Sequence, residues 1–393
     1  MVLQSKRVNL ENAPPAFAAF HTTHSSTIKS IGSRIRSSIH DPNRRRKART
    51  AHTSKYATDQ KRRSKNKSPP TTLQFDVTSV SAPPPQIADV EMRDVEVQPS
   101  LTTKTYKLPR ELLRPAFQEI SPKTLSTFEP ELGGEDLPDI EYIRDVMEEL
   151  GPGLLRAAVS VVADPPKDAL PKEIAITVND HSDYPPPTHM LAIHTRASTD
   201  ASGNARRQVT LVPAHSVILA LYCARLPKFP APPSTPAYIS EDRTQLIVPV
   251  QPFCIPSPAT YSFLSTFLYT KRTDILLKSL FPCPPPPKLE DDRTLIPAFA
   301  GRLAVTYTSQ ALLLHINSVY GLWQNACLLG IFVEELWDTI DLAWEVLLTA
   351  MAISAGTPHL MLKRPSSPPP AVASTSEVAS TPDPESGAST PTP

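Results

Sequence analysis

Two apolar stretches, Val212–Arg225 (VPAHSVILALYCAR) and Ser257–Arg272 (SPATYSFLSTFLYTKR), constrain the fold more than any other feature of the chain. Each opens on a helix-start signal and runs into apolar residues at helical spacing. In the first, Pro213 suits a first-turn position, where its missing N–H costs nothing. Val217, Ile218, Leu221 and Tyr222 then recur on one face. In the second, Ser257 suits the N-cap and Pro258 the first helical position, and Tyr261, Leu264, Phe267 and Leu268 make the stripe. Between them Leu246–Val250 (LIVPV) reads as a strand. Upstream, Ile174–Val178, Met190–Arg196 and Arg207–Val212 read as three more strands, the last two joined by the turn-rich loop STDASGN at 198–204. The class expected is α+β.

The order of these pieces is a strand pair, a helix opening on AHSVILA, a strand, and a helix ending in FLSTFLYT. It resembles a BTB/POZ domain over Thr188–Phe281. In that family a hairpin feeds a helix that starts near a histidine, and a later helix ends in an aromatic-Tyr-Thr corner. The resemblance implies structural roles for His215, Ser216 and Leu219 in the first helix. It implies the same for Phe263, Leu264, Phe267, Leu268, Tyr269 and Thr270 in the second. The Pro-rich segment Leu226–Arg243 departs from the family, where compact helices usually stand.

Further helices are expected on either side. Asp139–Leu150 carries the stripe Ile140, Ile143, Val146, Met147 and Leu150. Asp139 and Glu141 suit its first turn, and Gly151 its stop. Gly153–Ala163 reads as a second apolar helix, and Leu108–Ile120 as a short one interrupted by Pro115. Asp274–Leu280 is another short helix, after which Pro282–Pro287 breaks the chain. The strongest helical block is Ala311–Ala350, with Leu312, Ile316, Val319, Trp323, Leu328, Phe332, Leu336, Ile340, Trp344 and Leu348 at helical spacing. Gly321 and Gly330 are the points where it would bend or divide.

Proline sets the boundaries, since 46 of 393 residues is more than twice ordinary usage. The organisation expected is a basic disordered region (1–70), a Pro-rich linker (71–105) and a helical segment (106–165). A BTB/POZ-like domain with C-terminal helices follows (170–356), and then a disordered Pro/Ser/Thr tail (357–393).

A net charge of +1 hides an asymmetry. Residues 1–70 hold sixteen Lys and Arg against Glu11, Asp41 and Asp59, a net of +13. The basic residues gather in two clusters: Arg44, Arg45, Arg46, Lys47 and Arg49, then Lys61, Arg62, Arg63, Lys65 and Lys67. Two such clusters across a polar spacer read as a bipartite nuclear-import signal, because an extended basic peptide can lie along an acidic groove without a fold of its own. The alternatives are a phosphate-binding arm or a solubilising tail. The clusters lack interleaved aromatics for stacking bases, so direct nucleic-acid contact is not expected. The N-terminus shows no apolar signal-peptide core, and the apolar run Ala326–Val333 is too short to span a bilayer. The expectation is a nuclear protein without membrane contact.

Neither a phosphate loop, a nucleophile elbow nor a zinc-protease helix is present in the sequence. Cys223, Cys254, Cys283 and Cys327 are spaced for neither zinc nor a disulfide framework. His215 is read as structural. Trp323, Trp337 and Trp344 are read as core or groove anchors, and Glu334, Glu335 and Asp338 as a solvated helix face. Proline-directed sites occur at Ser68, Ser367, Thr381 and Thr390. No catalytic residue, cofactor, metal or small-molecule substrate is expected.

A closer resemblance rests on three segments: LVPAHSVILALYCARLP (211–227), VPVQPFCIPSPATYSFLSTFLYTKRTDILLKSLFP (248–282) and HINSVYGLWQNACLLGIFVEELWDTIDLAWEVL (315–347). Together they resemble the clampless family of mushroom-forming and smut fungi, over roughly Lys172–Ala355. The resemblance implies a non-enzymatic nuclear role downstream of homeodomain mating-type factors, required for clamp-cell formation and growth of the dikaryon. Protein partners, transcription factors or developmental regulators, follow from it. The rival expectation is a BTB-type adaptor bringing substrates to a cullin ubiquitin ligase.

Overall fold

The computed structural model describes residues 71–81, 100–120, 122–128, 139–164, 169–179, 184–196, 208–230, 237–239 and 244–362. The basic clusters Arg44–Arg49 and Lys61–Lys67 lie outside these residues, as do Ser68, Ser367, Thr381 and Thr390. So do the disorder expected over 1–70 and most of the disordered tail expected over 357–393, although that expectation is corrected at its start, where His359–Leu362 form a short helix. The described chain is α+β and divides into two compact units. One gathers Gln118–Ile255 with Leu268–Lys271. The other gathers the described residues up to Phe117, then Pro256–Phe267, and the chain from Arg272 onward.

The first elements, β1 (Thr72–Ser81) and β2 (Ser100–Pro109), form an antiparallel pair in continuous register from Thr72 opposite Pro109 to Ser81 opposite Ser100. A linker was expected here, and the structure corrects it. Leu73, Phe75 and Val77 alternate with exposed Gln74 and Asp76, a period of two that buries one face. The prolines all fall between the strands or at the end of β2. Beyond Pro109 the segment to Ile120 is irregular, not the short helix expected. Pro115 removes a donor and restricts the residue before it.

The α/β unit holds α1 (Pro122–Phe128), α2 (Ile140–Val159), β3 (Val161–Ala163), β4 (Glu173–Val178), β5 (His189–His194), β6 (Thr210–Ala214), α3 (Ser216–Tyr222), β7 (Ala237–Tyr238) and β8 (Gln245–Cys254). Asp139 caps α2 by accepting the Glu141 N–H. The expected stop at Gly151 is overturned: α2 runs on through Gly151-Pro152-Gly153 as one helix. Gly151 serves close approach instead. A Cβ there would stand 1.9 Å from the carbonyl oxygen of Tyr269.

The sheet runs β3-β4-β8-β5-β6, with β7 also on β8. β5 and β6 form an antiparallel hairpin, and β8 joins the other side of β5 in parallel. The interior strand β5, between β8 and β6, is buried along His189–Ile193. Ile174, Ile176, Met190, Ala192, Leu246, Val248 and Val250 make one apolar layer. All four expected strands are present. Pro213 corrects its reading as a first-turn residue: it lies in β6 opposite Met190, on an edge strand where its missing N–H is harmless. Helix α3 therefore begins one residue after His215.

The helical unit continues from a 3-10 turn (Pro258–Thr260) with Ser257 at its N-cap and Pro258 next. The turn leads into α4 (Tyr261–Thr270), then α5 (Thr273–Leu280), α6 (Ile296–Thr306), α7 (Ser309–Leu329), α8 (Glu334–Ser354) and α9 (His359–Leu362). The long helical block divides at Gly330, left-handed at φ 64°. There the Ile331 N–H reaches the Ala326 carbonyl and the Gly330 N–H that of Cys327, the two bonds of a Schellman stop. Gly321 lies inside unbroken α7. Helix α8 is the core of this unit, packed by α5, α6 and α7. Leu336, Trp337, Ile340, Ala343, Leu347 and Leu348 are buried along it.

Candidate functional site

Two polar clusters stand out, one in each unit. In the α/β unit the cluster forms where β6 turns into α3. His215 is fully buried at the N-cap of α3 without a side-chain cap bond of its own. Its Nε2 lies 3.1 Å from the carbonyl of Pro185, which can only accept, so Nε2 carries the proton. Nδ1 is then an acceptor, and the Tyr269 hydroxyl donates to it at 2.9 Å. The same hydroxyl accepts the backbone N–H of His215 at 2.9 Å. Burial pulls the His215 pKa down to about 4, against a smaller opposing effect of the Pro185 carbonyl, so the ring is neutral at pH 7.

His189 repeats the arrangement one strand away. Its Nε2 donates to the carbonyl of Pro230 at 3.0 Å, and Nδ1 lies 3.0 Å from Thr188 Oγ1. Thr188 Oγ1 also accepts the Ser216 N–H at 2.9 Å, tying β5 to the first turn of α3. Burial lowers the His189 pKa as well. Each nitrogen of both rings has a partner within the protein, and both residues are buried.

Next to this cluster, two cations approach the ring of Tyr222. The Lys271 Nζ is 3.0 Å from its ring centroid and the Arg144 guanidinium carbon 5.7 Å. Arg144 also donates to the carbonyl of Leu221 through Nε and Nη2, closing the end of α3. Burial pushes the Cys223 thiol up to about 12, with Lys271 opposing, so this thiol is inert. Of the other signature residues, Ser216, Leu219, Leu264, Phe267, Leu268 and Tyr269 are buried, and Phe263 and Thr270 are half-buried.

In the helical unit the cluster is built on a strap. Residues 109–117, leaving β2, lie along α7 and α8. The Trp344 indole N–H donates to the carbonyl of Pro109 at 3.1 Å, and that of Trp323 to the carbonyl of Leu113 at 2.9 Å. Directly after the second anchor, the Arg114 side chain, 7% exposed, enters a fork of three carboxylates. They are Glu334 Oε1 at 2.6 Å, Asp338 Oδ1 at 2.7 Å and Asp341 Oδ2 at 2.8 Å. Burial works against the charge of Arg114, but the field of Asp341 and the hydrogen bonds that the guanidinium donates to all three carboxylates outweigh it and raise its pKa. Arg110 donates to the carbonyls of Leu360 and Met361, and Phe117 meets Phe332 edge-on.

This corrects the reading of Glu334 and Asp338 as a merely solvated face. Their spacing with Asp341, four and three residues apart on one helix, was visible in the sequence. Their partner, more than two hundred residues upstream, was not. Trp323 and Trp344 are anchors as expected, though they hold backbone carbonyls. Trp337 is core, its indole donating to the carbonyl of Ile331 at 2.9 Å.

Among the described residues no group of His, Cys, Asp and Glu is placed to hold a metal ion, and no helix is long and apolar enough to cross a membrane. Residues 115–256 match the family model described as the Clampless protein 1 N-terminal domain. Residues 274–379 match the one described as the Clampless protein 1 C-terminal domain. The two matches follow in order and together span more than half of the chain. No curated protein and no solved structure matches it.

Proposed function

As a member of the clampless family, this chain is, we propose, a non-enzymatic nuclear regulator of fungal sexual development. It acts through protein–protein contacts in clamp-cell formation and dikaryotic growth, downstream of homeodomain mating-type factors. The observation that carries this reading is the ordered pair of domain matches. The basic clusters of residues 44–67 supply nuclear import.

The α/β unit favours a BTB/POZ-like reading of the core. A hairpin, β5 and β6, feeds α3 at His215, β8 returns parallel to β5, and Tyr269 near the end of α4 reaches back to His215. That order also supports the second reading, an adaptor that recruits substrates to a cullin ubiquitin ligase. Affinity purification of the tagged full chain from mating cells, with mass spectrometry, separates the two. Recovery of transcription factors or other developmental regulators without cullin is the expected result. Stoichiometric cullin would turn the reading to the adaptor.

A further inference from the structure

The connection between α5 and α6 opens on a proline run, PCPPPP at residues 282–287, with neither helix nor strand. A helix stop needs one proline; here five of six positions carry it. Each ring fixes its own φ and restricts the residue before it, so residues 283–286 are held in the polyproline II region. The run closes on a type II turn. The Leu289 N–H donates to the Pro286 carbonyl at 3.3 Å. Pro287 takes the second position of this turn and Lys288 the third, left-handed at φ 66°.

Both ends of the run are tied into the helical unit. Phe281 is buried and meets Phe299 edge-on, with ring centroids 5.2 Å apart. The Tyr307 hydroxyl donates to the Pro282 carbonyl at 3.1 Å, and Leu289 is buried within the turn. Polyproline II repeats every three residues, which sets Pro284 and Pro287 on one edge. Those two are exposed, while Pro285 and Pro286 between them are half-buried. The period of the exposure matches the period of the backbone.

The chemistry of this edge is one-sided. Prolines have no N–H to donate. Among the described residues the carbonyls of Pro284 and Pro285 accept no hydrogen bond. The edge offers apolar rings and open acceptors, so its complement must supply apolar faces and donors. Tryptophan and tyrosine side chains supply both. The other run of consecutive prolines among the described residues, at 185–187, differs. Pro185 and Pro187 are buried, and the Pro185 carbonyl is taken by His215.

We propose that residues 284–287 are a docking edge for a partner domain with an aromatic-lined groove, of the kind that reads polyproline II segments. The run is already ordered, so binding does not have to fix a flexible peptide. The proposal rests on the protein-contact reading of function and assigns one surface to it. Its failure leaves partners to be recovered through other surfaces, so the two readings fail separately.

The test uses the purified full chain and three purified domains of that kind, one SH3, one WW and one EVH1. At least one should bind the wild type. Pro284→Ala with Pro287→Ala should weaken that binding about tenfold or more, as for the loss of central anchors. No binding by any of the three overturns the proposal. So does unchanged affinity for the folded double variant, since the domain would then be reading another proline run. If the variant does not fold, hydrogen exchange on the wild type decides. Protection of the Cys283 and Lys288 amides by the bound domain supports the docking edge, and protection confined to other segments overturns it.

Discussion

The Tyr269 hydroxyl accepts the backbone N–H of His215 and donates to the Nδ1 of the same residue, both at 2.9 Å. One oxygen thus satisfies two buried polar groups at the start of α3. It links residues 54 positions apart in the chain. Removing the hydroxyl strands both groups away from water. Tyr269→Phe should therefore lower stability by about 1–3 kcal/mol, read as the shift in denaturant midpoint of the full chain. An unchanged midpoint would show that water reaches His215 in the variant.

The same pair sets a pH dependence. The His215 pKa is lowered by burial to about 4, against about 6.5 in an unfolded chain. Between these values the unfolded state binds a proton that the folded state refuses, so stability falls as pH falls. The loss should begin near pH 6.5, level off near pH 4 and reach about 3 kcal/mol. His189, also lowered, adds to it in the same direction. Denaturation curves at pH 7, 6 and 5 measure the slope, and a flat profile would contradict the buried neutral ring.

Gly151 gives a test with an unusual sign. In a helix interior Gly→Ala normally gains roughly 1 kcal/mol. Here the new Cβ would lie 1.9 Å from the Tyr269 carbonyl oxygen. Gly151→Ala should destabilise the chain in a thermal melt. A stabilised variant would mean that α2 and the end of α4 are not in contact.

The basic clusters at 44–49 and 61–67 should carry cargo by themselves. Residues 40–70 fused to a large cytoplasmic reporter should bring it into the nucleus, and the same fusion with both clusters changed to Ala should not. Imaging the two fusions is sufficient. A reporter that stays cytoplasmic with the wild-type segment removes the import role.

Much of this fold is legible in the sequence because its signals are local. The strands around Ile174, Met190 and Leu246 and the helices from Thr273 and Ser309 show their periodicity within a short window. Short or shielded elements are not. The alternation Leu73, Phe75, Val77 was masked by flanking prolines, and β3 and β7 are too brief to carry a pattern. Gly151-Pro152-Gly153 reads as a stop because local propensity is against a helix, yet packing against Tyr269 overrides it. The strap was hidden for another reason. Arg114 and its carboxylates are brought together only by the tertiary fold, and no spacing along the chain announces that.

The most direct measurement is complementation. In a clamp-forming fungus whose own clampless gene is deleted, the full chain should restore clamp cells and dikaryotic growth. A variant lacking both basic clusters should restore neither, although its core remains folded. A full chain that accumulates in the nucleus and leaves the strain without clamps would contradict the account.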